Sequence, residues 1–526
     1  MSKKNLVVTL VAHQGYFCPD SAQGPSHPEI ELLFAGITDT YIPLLNMFES
    51  LDLDHVPFRL AVVLTPTLCS LLADYSIQEM YVGWLDRLVL LGERQMEDLA
   101  ESDPRFPLVQ AELERVRKCR DDFVNVYKSD LLSVFRYYAD RGSIELMATA
   151  ATAAFLPHYI DLPEAVNAQI EAGLHSHRQF FGLVPDGFWL PAMGYASGLE
   201  EAIKGYGFSY TILDSHGLLF GNPVPRHGIF SPAMCRNGLW IFGRDYTAEE
   251  AVVGPGGFMY REVYRDQDRD FAFEATNQQL EGYLAENRVR FSSGYKYWSR
   301  GGGQLYDWDK ARSRSQEDAR LFVERCEEKL RNASRALEME DVSMVCTFYA
   351  RDFGQMWYEG MHWLEQVIRL VAQSQEVRLT QCCDLLDPKK DLQQVSPFMS
   401  AATGAGYGEN FLDMKNDWML CQARKSCQRM SQLAGRFPND TGLKARALNM
   451  AAREVLLAQS SDWPKMLSEG LFPEYAEAQF KKNVQSFVTV YDSLGENSIS
   501  TEWLTRLEHE HPLFPWMNYR IFSKKR

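Results

Sequence analysis

The chain has 526 residues, 46% of them hydrophobic and 24% charged, with a formal net charge of -16 at pH 7, which is long enough for a large core and more than one domain. That negative balance excludes the concentrated basic face a nucleic-acid binder needs and leaves neutral or cationic partners. No stretch approaches the roughly 20 consecutive apolar residues of a membrane span, so no membrane partner is expected.

Met1-Ser2-Lys3-Lys4 and the apolar run behind it superficially resemble a signal peptide, but the run is short, enters His13-Gln14-Gly15 and carries no small-residue cleavage pattern. It reads as a first buried strand of a cytoplasmic protein. The β-branched and Leu-rich runs 5–12 and 58–64 suit strands covered on both faces, and 31–51 between them has helical spacing. Strand, helix, strand implies a parallel sheet. Pro66 opens a helix through Ala73, and 81–99 and 108–138 read as longer charged helices, a helical insertion over about 76–140. Strand signals return at 144–148. Pro163 heads a helix to Phe180 that ends at Gly182. Residues 186–195 then form a short buried strand whose end carries Trp189 into a Pro-containing turn, a flat apolar floor of the kind that suits a pyranose face. A helix over 199–206 and a strand over 210–213 follow, the latter ending at Asp214-Ser215-His216-Gly217.

Residues from about 218 to 300 are rich in glycine and short aromatic segments and read as a loop-rich excursion. A charged helix over 311–338, a strand over 343–348 and a helix over 361–373 complete the alternation. Beyond about residue 400 the pattern is helical almost throughout: 417–433, 442–458, 463–467, 474–494 and 500–508. The expected class is α/β: an α/β barrel over 1–400, then an all-α C-terminal domain over 401–526. In such barrels the chemistry sits on the loops after the strands, which draws attention to His13, Trp189, Asp214 and Tyr349.

His175 and His177 would point about 200° apart on a helix and read as a surface pair. No HExxH, cysteine-pair or Asp-His-His spacing stands out, so neither a metal nor another cofactor is expected. Ten cysteines without a repeating paired spacing, with Cys382-Cys383 adjacent, read as reduced and mostly buried thiols. Gly254-Pro255-Gly256-Gly257 does not lead from a strand into a helix, which argues against a phosphate loop. Ser461 or Asp462 caps a new helix, and an Asp462-Trp463 pair beside a pocket would also bind sugar hydroxyls and stack on a ring.

The order of motifs resembles family 57 of the glycoside hydrolases, and within it the α-1,4-glucan branching enzymes. The matching segments run the length of the chain: Ala12-His13, the stretch 31–45, Thr65-Pro66-Thr67-Leu68, Ile144-Glu145-Leu146, Trp189-Leu190-Pro191, residues 260–266, Gly294-Tyr295-Lys296-Tyr297, Trp357-Tyr358-Glu359-Gly360 and the run 459–463. The resemblance implies a (β/α)7 barrel with inserted segments, a helical C-terminal domain, and retaining chemistry on α-glucans by two carboxyl groups about 5–5.5 Å apart. It also assigns the nucleophile position to Ala192 and the acid/base position to Tyr349, so neither catalytic carboxylate is intact. Other positions depart as well: Val11, Ala153, Arg351 and Gln355 replace expected polar groups, and Thr403 stands where a glucan-stacking Trp is expected. Retained substrate-binding positions are His13, Arg244, Gly256 and Asp462, with Trp189, Trp357 and Trp463 as an aromatic wall and Thr403 at the altered subsite.

Three functions follow from the resemblance. The first is a non-catalytic branching-enzyme homologue that binds α-glucan or serves glycogen or starch metabolism. The second is an active branching enzyme or α-glucan hydrolase with displaced carboxylates, for which Asp352, Asp214 and Asp245 are candidates. The third is a scaffold without sugar binding. Expected partners are an α-glucan or oligosaccharide, and a second copy or an active paralogue.

Overall fold

A computed structural model describes residues 4–18, 28–284, 289–496 and 498–524; Met1-Ser2-Lys3 of the signal-like opening, and part of the expected excursion, lie outside them. Strand β1 (Lys4–Ala12) comes first in the chain, followed by β2 (Leu60–Leu64), β3 (Ile144–Thr149), β4 (Gly187–Trp189), β5 (Tyr210–Leu213), β6 (Ala233–Met234), β7 (Trp240–Gly243), β8 (Ser343–Tyr349) and β9 (Val377–Thr380). The sheet order is β6-β7-β5-β4-β3-β2-β1-β8, with β9 also pairing β1. All neighbours along it are parallel except β6 with β7. A parallel bridge between Arg244 and Val345, with the Asp245 amide donating to the Val345 carbonyl at 2.7 Å, brings the end of β7 to β8. The sheet thus curls into a (β/α)7 barrel of β1, β2, β3, β4, β5, β7 and β8, in agreement with the expected class.

Side chains alternate across the strands with a period of two. Val7, Val11, Ala61, Val63, Met147 and Val345 fill the barrel interior. Their neighbours Leu6, Val8, Leu10, Leu60 and Val62 face the helices in the main core. Burial on both sides explains why β1 and β2 read as continuous apolar runs rather than as alternating ones.

Four expectations need correction. The stretch 108–138 is not one helix: it divides into Phe106–Asp121, a π-helical turn Asp122–Val126 and Leu131–Asp140. Lys128 and Ser129 at φ 51° and 61° break it, and the Asp130 side chain caps the new helix by accepting from the Ser133 amide at 3.0 Å. Residues 218–300 are not only an excursion, because β7 is a barrel strand. β9 was not anticipated. His175 and His177 are not a surface pair: His175 is exposed and stacks on Trp516 at 3.9 Å, whereas His177 is buried, and burial lowers its pKa to about 4.

All ten cysteines are free thiols, and eight are buried. No helix among the described residues is long and apolar enough to cross a membrane. Five helices, Asp417–Arg436, Gly442–Ala458, Asp462–Glu469, Pro473–Glu496 and Thr501–Glu510, make up most of the C-terminal region. Residues 450–458 are buried on every side, as a helix enclosed by others must be. Its buried Glu454 pairs with His511, and Arg453 donates to the His511 and Phe514 carbonyls at 2.8 and 3.2 Å. This region is fastened to the barrel after β3: Thr152 donates to the Leu456 carbonyl and Ser461 to the Ala153 carbonyl, both at 2.5 Å.

Candidate functional site

The loops at the C-terminal ends of β1, β3, β4 and β8 meet the segment 401–411 and the helix Asp462–Glu469. At the end of β1, the His13 Nε2 lies 2.7 Å from an Asp462 carboxylate oxygen and its Nδ1 lies 3.1 Å from the Thr65 hydroxyl. The pair is a fifth to a quarter exposed, so it lines the barrel mouth. Ser460 donates to the other Asp462 oxygen at 2.7 Å. Burial works against the Asp462 charge, but His13 and Ser460 outweigh it and hold the carboxyl below its ordinary value. A β-carbon on Gly15 would come within 3.0 Å of the same carboxylate, so glycine there permits the close approach. Behind it, Glu29 accepts from the Gln14 side chain, and burial together with the nearby Asp462 charge pushes its pKa up to about 8.

Past β4 the chain turns sharply. Ala192 and Met193 have φ of 52° and 50°, the left-handed region, and the Ala192 carbonyl accepts from the Ala402 amide at 2.7 Å. The Ala192 methyl packs against the cluster of Phe155, Ala401 and Phe411. Thr403 comes next in the chain; its carbonyl accepts from the Gly406 and Gly408 amides at 3.2 Å, and its hydroxyl is buried without a hydrogen-bond partner among the described residues. The structure therefore brings Ala192 and Thr403 together through Ala402.

Tyr349 ends β8 and packs on the barrel-interior cluster that also holds Trp189. Its phenol is pushed up by burial, the positive Arg351 opposing. The Arg351 guanidinium lies 5.8 Å from the Tyr349 ring centroid. Asp352 follows at the same turn; burial raises its pKa to about 6, and the Glu249 charge adds to the effect against Arg351 and Lys465. Glu249 is likewise raised by burial, with Arg244 opposing. Arg244 is 3% exposed; it pairs with Asp214 at 2.5 Å and with Glu249. Asp214 in turn lies 2.7 Å from His216 Nδ1, and His216 Nε2 lies 2.8 Å from the Gly406 carbonyl. A polar chain thus runs from Glu249 through Arg244, Asp214 and His216 to the loop that carries Thr403.

Several expected site residues take other places. Trp357 is 0% exposed and packs with Tyr264, Phe353 and Trp363; Trp463 is 3% exposed and donates its indole N–H to the Leu457 carbonyl at 2.9 Å; Trp189 is 3% exposed inside the barrel. These rings back the mouth from within the core, so the expected aromatic wall is corrected: none offers a free face. Gly256 sits on an exposed turn at φ 80°, with no atom near the position of a β-carbon, and serves the turn. Gln355 donates to the Leu32 carbonyl at 3.0 Å. Asp245 caps the helix Tyr246–Val253 and pairs with Lys329 at 2.6 Å rather than facing the mouth. Lys465, Glu249 and Glu29 escaped the sequence reading. Lys465 had a signal, since it stands one helical turn after Asp462 and so shares its face; Glu29 had none, because burial of an acid is set by distant packing.

Comparison with known proteins agrees with this geometry. The model of glycosyl hydrolase family 57 matches residues 27–299, and that of the C-terminal region of 1,4-alpha-glucan branching enzymes matches 422–522. A 1,4-alpha-glucan branching enzyme of Thermococcus kodakarensis is 25% identical over 489 residues, which cover 85% of this chain and 68% of the relative. Among solved structures, the alpha-amylase AmyC from Thermotoga maritima superimposes with a TM-score of 0.92 at 28% identity over 100% of both chains. A GH57-type branching enzyme from Pyrococcus horikoshii does so with a TM-score of 0.88 at 23% identity, over 100% of this chain and 98% of that one. With its family model spanning more than half of the sequence and its strands closed into the seven-stranded barrel described above, the chain belongs to glycosyl hydrolase family 57.

Proposed function

We propose that this chain binds α-glucan at the mouth lined by His13, Asp462, Thr403 and Tyr349, with Arg244 buried behind it, and does not carry out retaining glycosyl transfer there. One observation carries the reading: the side chain at the end of β4 is the Ala192 methyl, held in a left-handed turn against Phe155, Ala401 and Phe411. Retaining transfer needs a carboxylate oxygen to attack the anomeric carbon while an acid protonates the leaving oxygen. A methyl has no lone pair to offer, and a phenol raised by burial, as Tyr349 is, is a weak acid near neutral pH. Hydrogen-bonding groups for sugar hydroxyls remain, in His13 and Asp462. Substrate class comes from the relatives, whose names are those of 1,4-alpha-glucan branching enzymes and an alpha-amylase. A division of the chain near residue 400, a cytoplasmic place in glycogen or starch metabolism, and pairing with a second copy or an active paralogue belong to the same proposal.

A second reading keeps catalysis with displaced carboxylates. Asp352 with its pKa near 6 favours it, since an acid so tuned can donate a proton near neutrality, and Glu249 is a charged neighbour. Affinity electrophoresis in glycogen, run beside an iodine-stain and branch-linkage assay on amylose, tests both. Retardation without product supports the first reading. Turnover abolished by Asp352→Asn or Glu249→Gln replaces it with the second, and neither retardation nor turnover leaves a scaffold.

A further inference from the structure

A second cavity of about 530 Å³ lies outside the barrel mouth, between the helices Ile42–Leu53, Phe106–Asp121 and Gly360–Gln373 and the first turn of Trp308–Ala336. Its size falls in the range of roughly 300–1,000 Å³ usual for small-molecule sites. One wall is aromatic: Tyr306, Trp308 and Tyr358 meet edge to face, with centroids 5.1, 5.5 and 6.2 Å apart. The guanidinium of Arg265 lies 3.5 Å from the centroid of Tyr358 and stiffens that ring. Trp308 and Tyr358 are half-buried and line the cavity.

The remaining wall is mixed, with Ile42, Pro43, Met47 and Met361 beside polar groups. Asn46 and Ser50 face it from the helix Ile42–Leu53, and His362 from Gly360–Gln373. Ser315 meets His362 Nδ1 at 2.5 Å, while the His362 Nε2 is buried without a hydrogen-bond partner among the described residues. At the rim, Asp309 and Arg312 are exposed and form no ion pair among the described residues. Other charges around the cavity are already compensated: Arg115 pairs with Asp39 at 3.0 Å, Lys118 with Asp122 at 2.5 Å, and Glu365 with Arg369 at 2.7 Å. Carboxylates outnumber basic groups around the cavity, which disfavours an anion, and the two unpaired rim groups, Asp309 and Arg312, carry opposite charges that leave no net demand for a cation. An aromatic wall beside exposed hydrogen-bonding groups of opposite charge at the rim, without net demand for charge, suits a neutral polyhydroxylated ring.

We propose that this cavity is a second, non-catalytic sugar-binding site that takes a neutral oligosaccharide, with a pyranose face on Trp308 and hydroxyls on Asp309 and Arg312. The choice of an α-glucan as its ligand rests on the function proposed above; the neutral-sugar chemistry rests on the cavity alone. Calorimetric titration of the full chain with maltotriose tests it, repeated on Trp308→Leu, Arg312→Ala and Asp462→Asn. Two classes of site are expected, one weakened about tenfold by Trp308→Leu or Arg312→Ala and the other by Asp462→Asn. Arg312→Ala removes an exposed side chain only, so it keeps the test sound should Trp308→Leu disturb the fold, which circular dichroism reports. A single class lost in Asp462→Asn and indifferent to both cavity variants overturns the second site and leaves the mouth reading standing. A single class lost in the cavity variants and indifferent to Asp462→Asn supports the second site and removes the mouth. Heat from inorganic phosphate that Arg312→Ala abolishes, without heat from maltotriose, overturns the neutral-sugar assignment.

Discussion

At the scale of single residues, the mouth holds two carboxyl groups with opposite pH behaviour. Asp462 is held below its ordinary value, so its contribution to stability is present above that value and is lost as pH falls from there through the lower value of the folded state. Glu29 is the reverse: with its pKa raised from 4.5 to about 8, the folded state prefers the protonated acid, and stability is lost as pH rises between those values. Glu29→Gln keeps an acceptor for Gln14 and removes the ionisation. The variant is expected to gain roughly 2–4 kcal/mol over the natural chain at about pH 8.5, and little or nothing near pH 4. Urea unfolding at the two pH values measures this; an equal difference at both would show that Glu29 is not the titrating group. Of the mouth itself, His13 and Asp462 were legible in the sequence, because one ends an apolar strand and the other opens a helix after a break in periodicity. Their direct contact was not, since 449 positions separate them and only the packed fold joins them.

At the scale of elements, what reads clearly is what is long and apolar. Strands β1, β2, β3 and β8, and helices such as Gly442–Ala458, fall close to where periodicity puts them. The four residues of β7 do not, because they stand in a Gly- and Pro-rich stretch and owe their state to neighbours on either side. Closure at that strand depends on Asp245. Its amide reaches the Val345 carbonyl, while its carboxylate caps the next helix at the Ala248 amide, 3.1 Å away, and holds Lys329 at 2.6 Å. Asp245→Ala loses the cap and leaves a partly covered ammonium without its partner. About 3 kcal/mol of destabilisation is expected, and less for Asp245→Asn, which keeps an acceptor for the cap. Denaturant midpoints of the two variants give the comparison, and near-native midpoints for both would mean that the seam is held elsewhere.

At the scale of the whole molecule, the C-terminal helices complete the mouth. Asp462 and Lys465 come from that region, and it is tied to the barrel through Thr152, Gln169, Ser461 and the bridge between Ala154 and Ser460. These contacts are short and several are buried, so the barrel and the helices are expected to unfold together. Near-ultraviolet circular dichroism and tryptophan fluorescence should trace one coincident thermal transition; two separated transitions would show that the regions are independent. The resemblance to a family told more about this arrangement than periodicity did, because a run of helices at the end of a chain does not say where it docks. The left-handed pair at residues 192–193 marks what the docking preserves. Alanine occupies that conformation at a backbone cost of roughly 1–2 kcal/mol, and the Ala402 amide helps to sustain it. That cost resides in the main chain and not in the side chain. Under the function proposed above, installing an acid at the end of β4 would therefore ask for a new side chain but no new path for the polypeptide.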